Sequence, residues 1–242
     1  MSYFLRAAFA ALFLVGALHS CPLHAQDYKA IVAAPDRAAA DKRDDDKRLP
    51  LKLLEFIAPR SGWKVLDMAA GAGYSSELLA RAVAPTGRVF AQHNMPSVMF
   101  MQRMESPAMS NVTDVVARAD QLPSSELHDL DLVTFLFGYH DTTYGGFDRT
   151  KMDKQLFDSL KPGGTLVIAD HSARHQDGAL VGSTLHRIAQ DTVKKELEGA
   201  GFIFVEEGDF LRYPKDTRTE EIFKNLAKVD HFIMKLDRKS VV

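Results

Sequence analysis

Gly138, Tyr139, His140 and Asp141 follow directly on the nearly all-apolar run 130–137, and the glycine permits a ligand to approach closely. An imidazole beside a carboxylate can take and give protons near neutral pH. His140 is therefore a candidate general base. Asp141 is a candidate partner that orients it or contacts a substrate, and Tyr139 offers a ring to stack on a planar ligand. The same residues equally suit a loop in which the His and Asp satisfy backbone groups. Asp170-His171 and His175 form a second polar group after the apolar run 165–169. No short ligand spacing joins them to His140 and Asp141, so no metal is assigned. His186-Arg187 is a third pair, fit for an anionic ligand or for a surface ion pair.

Such groups act only where rigid elements hold them. Residues 65–74, Val-Leu-Asp-Met-Ala-Ala-Gly-Ala-Gly-Tyr, read as a strand ending at Asp67, a turn of small residues, and a helix start. Small residues let the backbone approach a ligand closely, and a helix N-terminus presents free N–H groups. A tight connection explains a glycine turn as well. A dinucleotide loop wants a third glycine, and Ser76 stands there. The pattern then alternates. Strands are expected at 63–67, 88–92, 114–118, 130–137, 165–169, 202–205 and 231–236. Helices are expected at 51–57, 75–83, 98–104, 151–160 and 192–199, with Asp191 capping the last. This alternation predicts a parallel sheet with helices on both faces.

The formal charge of -2 argues against a global basic field for nucleic acid. Residues 7–18 are small and apolar, preceded by Arg6 alone among charged residues. The run is too short to span a bilayer. It reads as an export signal cut after Ala25, with lipidation at Cys21 a lesser alternative. The mature protein would then be periplasmic or secreted, without a membrane span. The domain expectation is a signal over 1–25, a helical segment or lid over 26–59, and one catalytic domain over 60–242. The charged run 41–48 reads as a solvated helix ending near Pro50.

The acidic residue and the spacing of Gly71 and Gly73 resemble motif I of class I S-adenosylmethionine (SAM)-dependent methyltransferases, D-x-G-x-G-x-G. Ala69 replaces its first glycine. Residues 129–137 and 160–168 resemble that family's fourth strand and its helix–turn–fifth strand. Residues 37–50, 139–141 and 185–188 resemble a little-characterised bacterial branch of predicted methyltransferases. The resemblance implies an α/β, Rossmann-like, seven-stranded, mostly parallel sheet with the last strand antiparallel. It implies SAM at Asp67, Ala69, Gly71 and Gly73. His93 and Asn94 stand where family members place the ribose-binding acid, and Asp120 stands near the adenine end. By the same resemblance Arg43, Arg48 and Pro50 fold over the site as a lid. The acceptor is expected to be an unidentified small molecule. An exported, non-catalytic SAM- or nucleotide-binding protein is the alternative. An NAD-dependent oxidoreductase ranks below both, because its turn and its acid near residue 93 are missing.

Overall fold

A computed structural model describes residues 27–239, so the expected signal segment and Cys21 lie outside the described residues. Three helices come first: α1 (Tyr28–Val32), α2 (Ala39–Arg48) and α3 (Pro50–Ile57). Then follow β1 (Lys64–Met68), α4 (Tyr74–Val83), β2 (Arg88–His93), α5 (Val98–Arg103), β3 (Val112–Val116) and β4 (Leu130–Leu136). A 3-10 turn over Tyr139–Thr143 leads to α6 (Arg149–Ser159), β5 (Leu160–His171) and α7 (Gly182–Leu185). The chain ends with α8 (Gln190–Gly199), β6 (Ile203–Gly208) and β7 (His231–Asp237).

The strands form one seven-stranded sheet in the order β3-β2-β1-β4-β5-β7-β6. The pairs from β3 to β5 are parallel, and β7 lies antiparallel to both of its neighbours. The seven-stranded Rossmann-like expectation therefore holds. Strand period decides the two cores. Leu66 and Met68 of β1 face a core with Met152 and Leu156 of α6 and Val193 and Leu197 of α8. Val65 faces the opposite core with Leu53 and Ile57 of α3 and Leu79 and Val83 of α4. The chain runs outward from β1 on one side and from β4 on the other. The crevice between their C-terminal ends is thus the place where a ligand fits.

Several expectations are corrected. The third strand begins two residues earlier than expected and stops at Val116, so Arg118 lies beyond it. The fifth is longer and reaches His171, in register with His231. Pro50 begins a helix, where its missing N–H costs nothing; Leu49 at φ 49° makes the break. The charged helix is not simply solvated. Arg37 is buried and pairs with Asp45 at 2.7 and 2.8 Å, and Asp41 is buried beneath Arg103. Asp191 does not cap α8. Ala189 holds the cap position without a side-chain bond, and Asp191 pairs with His175.

Between the sheet and helices α6 and α8, the Tyr139 hydroxyl lies within 2.9 Å of Asp153 Oδ2 and 2.8 Å of Glu196 Oε2. One hydroxyl proton cannot serve two carboxylates. Arg149 bonds Glu196 at 2.7 Å and neutralises it, leaving Asp153 to keep a proton. Burial pushes Asp153 up to about 7; the Tyr139 bond opposes this and Glu196 adds to it. A raised carboxyl gives stability that is complete below about pH 4 and lost as pH rises to about 7. Asp153→Asn, which cannot ionise, is expected to gain on the parent across that window, by at most about 4 kcal/mol, and to stay level above it. Chemical unfolding at pH 4, 5.5, 7 and 8.5 checks this. Parallel pH curves for the two proteins would show that Asp153 is ionised in the fold.

Candidate active site

The glycine turn is built on a buried carboxylate. Asp67, wholly buried at the end of β1, accepts from Ser75 Oγ, Ser76 Oγ and Thr134 Oγ1, each at 2.7 Å. Burial raises its pKa, opposed by the three hydroxyl bonds. It thus ties β1, the start of α4 and β4 into one corner and lies beneath the turn. From the other side Gln92 Oε1 accepts from Ala69 N at 3.1 Å, while its amide donates to Ala117 O at 2.6 Å. Arg103 of α5 donates to Ala72 O at 2.7 Å and pairs with Asp41 and Glu77 at 2.6 and 2.5 Å. Ala69 itself has φ 52°, a conformation that suits glycine and costs alanine about 1 kcal/mol.

A cavity of ≈ 490 Å³ opens over this turn, lined by Ala69, Gly71, His93, Asn94, Gly138 and Asp141 among others. Five of the expected site residues, Ala69, Gly71, His93, Asn94 and Asp141, therefore meet at one opening, with Gly138 beside them. Gly73 lies behind the opening, its Cα packed against Phe100 and Arg103. His93 ends β2 with Nε2 2.8 Å from Asp114 and its ring edge-on to Phe100. Its buried Nδ1 has no partner among the described residues. Asn94 is exposed. Asp120 is not in the lining, though its neighbour Ala119 is. Arg118 binds its carboxyl at 3.0 and 3.2 Å and Asp148 N adds a bond at 3.0 Å, holding it down to about 2.

Beyond β4 the three adjacent candidates part company. Tyr139 points into the core and does not meet the cavity. His140 is buried and tied at both nitrogens: Nδ1 lies 2.7 Å from Asp170 Oδ1 and Nε2 3.2 Å from Asp141 Oδ1. Its backbone N–H also donates to Asp170 Oδ2 at 2.7 Å. Burial pulls the imidazole down, but the Asp141 and Asp170 bonds prevail and carry it up to about 10. Asp141 is half exposed and takes a hydrogen bond from Tyr144. Arg187, a candidate for an anion, is buried instead, paired with Asp216 at 2.8 Å and donating to Ser172 O and Glu220 O. Of the expected lid, Arg48 lies over the Tyr74 ring, Arg43 is exposed and Pro50 is buried.

A second pocket has a volume of ≈ 280 Å³. Phe137, His171, His231, Leu211, Ile222 and Phe223 contribute to it, with Lys47 and Arg48 at one side. Burial drives His171 down to about 3 and lowers His231. Sequence reasoning passed over His231, Leu211 and the 222–226 segment, because only β5–β7 pairing brings them here. A wider groove of ≈ 900 Å³ between α6 and α8 shares only Phe147 with the cavity at the turn.

The model of the ubiE/COQ5 methyltransferase family matches residues 47–181, more than half of the chain. The chain belongs to that family. It is thereby a member of the class I, SAM-dependent methyltransferases. It is 32% identical over 122 residues to the ubiquinone/menaquinone biosynthesis C-methyltransferase UbiE of Pseudomonas aeruginosa (strain LESB58), covering 49% of this chain and 46% of the relative. The UbiE of Psychromonas ingrahamii is 34% identical over 116 residues, 47% of this chain and 44% of the relative. The chain thus matches less than half the length of these curated relatives. A SAM-dependent methyltransferase from Aquifex aeolicus superposes with a TM-score of 0.59 at 21% identity, covering 87% of this chain and 98% of that one. The [4+2]-cyclase SpnF gives 0.61 at 16% identity, covering 84% of each. At such identity these two show the fold alone.

In a ubiE/COQ5-type turn the backbone must be held as firmly as any side chain. Gln92→Ala removes the partners of part-buried backbone groups at Ala69 and Ala117, at a cost of at most about 1–3 kcal/mol each. The expected result is a lower melting temperature together with weaker binding of SAM. Calorimetry and thermal melts check it; unchanged values for both would show that water replaces the amide.

Proposed function

We propose that the protein transfers the methyl group of SAM to a ring carbon of a quinol-like aromatic small molecule. The observation that carries this reading is the placement of two consecutive residues: Gly138 lines the cavity at the glycine turn and Phe137 lines the second pocket. The end of β4 therefore contributes consecutive residues to two ligand spaces, an arrangement that direct transfer can use. The names of the curated relatives supply the quinone ring as the acceptor class.

The cavity suits the cofactor. A Cβ added at Gly71 would meet only Ala69 O, at 3.9 Å, so its space faces the opening and not protein. His93 and Asn94 both line this cavity, and the exposed Asn94 amide can meet a ribose hydroxyl. When bound, SAM supplies an electrophilic methyl on a sulfonium. The protein's own residues position and shield. Phe137, Leu211, Ile222 and Phe223 exclude water from an apolar ring, and Phe137 lies stacked near the His171 ring at 5.4 Å. The imidazoles of His171 and His231 offer hydrogen bonds to ring oxygens. His140, locked on two carboxylates, fixes Asp141 at the edge of the cofactor cavity. Lys47 and Arg48 of α2 border the acceptor pocket, which gives the helical 26–59 segment the role of a cover over the catalytic domain. The N-terminal signal reading is proposed on sequence alone; finding an intact N-terminus in the cytosolic fraction would defeat it.

Calorimetric titration with SAM and its demethylated product is expected to show micromolar binding. Gly71→Leu is expected to weaken it at least about tenfold, or about 1.4 kcal/mol, by filling the opening and straining φ 59°. Labelled SAM and a demethylated quinol should then give label on the ring. No binding by folded protein would remove the cofactor assignment. Tight SAM binding without label on any quinol would remove the acceptor and favour a binder without turnover.

A further inference from the structure

We propose that His140, Asp141 and His186 form a binding site for a divalent transition-metal ion of the zinc type, at the junction of the two ligand spaces. Asp141 Oδ1 lies 3.2 Å from His140 Nε2 and 3.9 Å from His186 Nδ1. The three ligand atoms all fall within 4.8 Å of one another. Tetrahedral zinc with bonds of about 2.0–2.1 Å sets its ligand atoms about 3.4 Å apart, so the group is close to the needed size. Two imidazoles and one carboxylate are the donor types such an ion selects over calcium or magnesium.

The supporting shell is also present. Histidine ligands are oriented by a carboxylate on their other nitrogen. Here buried Asp170 takes His140 Nδ1 at 2.7 Å and also accepts from the backbone of His140 and His171, so its rotamer is set. Tyr144 donates to Asp141 and fixes the carboxylate. His186 is held from both sides. It packs edge-on to Phe223 with ring centres 4.9 Å apart, and its neighbour Arg187 is anchored in the interior. The short α7 before it lies so close to the 3-10 turn that a Cβ at Gly182 would sit 2.7 Å from His140 O. That contact brings His186 beside His140 and Asp141, which precede it by 46 and 45 residues. An entry path exists too: Asp141 lines the cofactor cavity, and His186 is partly exposed.

The remaining coordination positions would hold an oxygen of the acceptor beside the cofactor. That role rests on the acceptor reading above, whereas the site does not. The test therefore uses metal alone. Full-length, untagged protein is titrated with Co²⁺, followed by its visible absorption, and with Zn²⁺ in competition. Expected are one Co²⁺ per chain with the intense bands of four- or five-coordinate cobalt, and its displacement by Zn²⁺. His140→Ala would strand the Asp170 carboxylate in the interior, so His186→Ala and Asp141→Asn are the working variants. Each should weaken binding at least about tenfold while melting like the parent. His175→Ala, which removes a surface histidine, should leave binding unchanged. Absence of the cobalt bands, or equal binding by the His186→Ala and Asp141→Asn variants, would overturn the proposal and leave the cluster a hydrogen-bonded network. Loss of binding in His175→Ala would move the ion to the surface and overturn it as well.

Discussion

The site depends first on the Asp67 carboxylate. It is fully buried and is met by three hydroxyls, from Ser75, Ser76 and Thr134, and by no lysine or arginine among the described residues. A buried carboxylate that lost these bonds would cost several kcal/mol, so the three hydroxyls must stay where they are. Ser75 and Ser76 start α4, and Thr134 is the register partner of Asp67 on β4. One interaction thereby fixes the angle at which the helix leaves the strand and the spacing of the two central strands. The glycine turn is stretched over this corner. Its shape follows from the corner more than from the glycines.

The turn then tolerates a departure that its family pattern discourages. Ala69 stands at φ 52° where the pattern has glycine, and its methyl needs room as well as a strained backbone. The room comes from across the cavity. A Cβ at residue 138 would lie 2.8 Å from the Ala69 Cβ, and residue 138 is glycine. The two positions act as one: the methyl moved from one strand end has no counterpart on the other. Gln92 holds the Ala69 N–H, which further commits the backbone to this conformation. The altered motif I residue is therefore built in, and does not signal decay of the site.

Much of this was legible in the sequence, for physical reasons. Strand and helix periods are local signals, and they placed all seven strands and the glycine turn; the expected break at Pro162–Gly164 instead lies inside β5. The candidate site was legible where residues lie just beyond strand ends, as with Gly71, His93, Gly138 and Asp141. It was illegible where side-chain direction decides. Tyr139, His140 and Asp141 are consecutive, yet they face the core, an Asp170 carboxylate and the cavity respectively, because a 3-10 turn rotates each residue by about 120°. The burial of Arg187 was hidden for the same reason. Its partner Asp216 is 29 residues away in an irregular segment that carries no periodic signal. The second pocket needed the β5–β7 pairing before His171 and His231 became neighbours.

The direction of His140 changes what the site can do. A histidine ready to act as a base must leave one nitrogen lone pair facing the reactant. His140 turns both nitrogens to carboxylates, one fully buried and one at the cavity edge. Each carboxylate favours a bound proton, or another cation, on the nitrogen it faces, so the imidazole is a poor acceptor from a third group. By position it links the buried Asp170 to Asp141 at the cavity edge. The histidines of the second pocket, His171 and His231, are the neutral ones, kept so by burial. Methyl displacement from a sulfonium asks little more of a protein than alignment and exclusion of water. A site with a rigid turn on one side, an apolar pocket on the other, and a locked His–Asp pair between them is built for that division of labour.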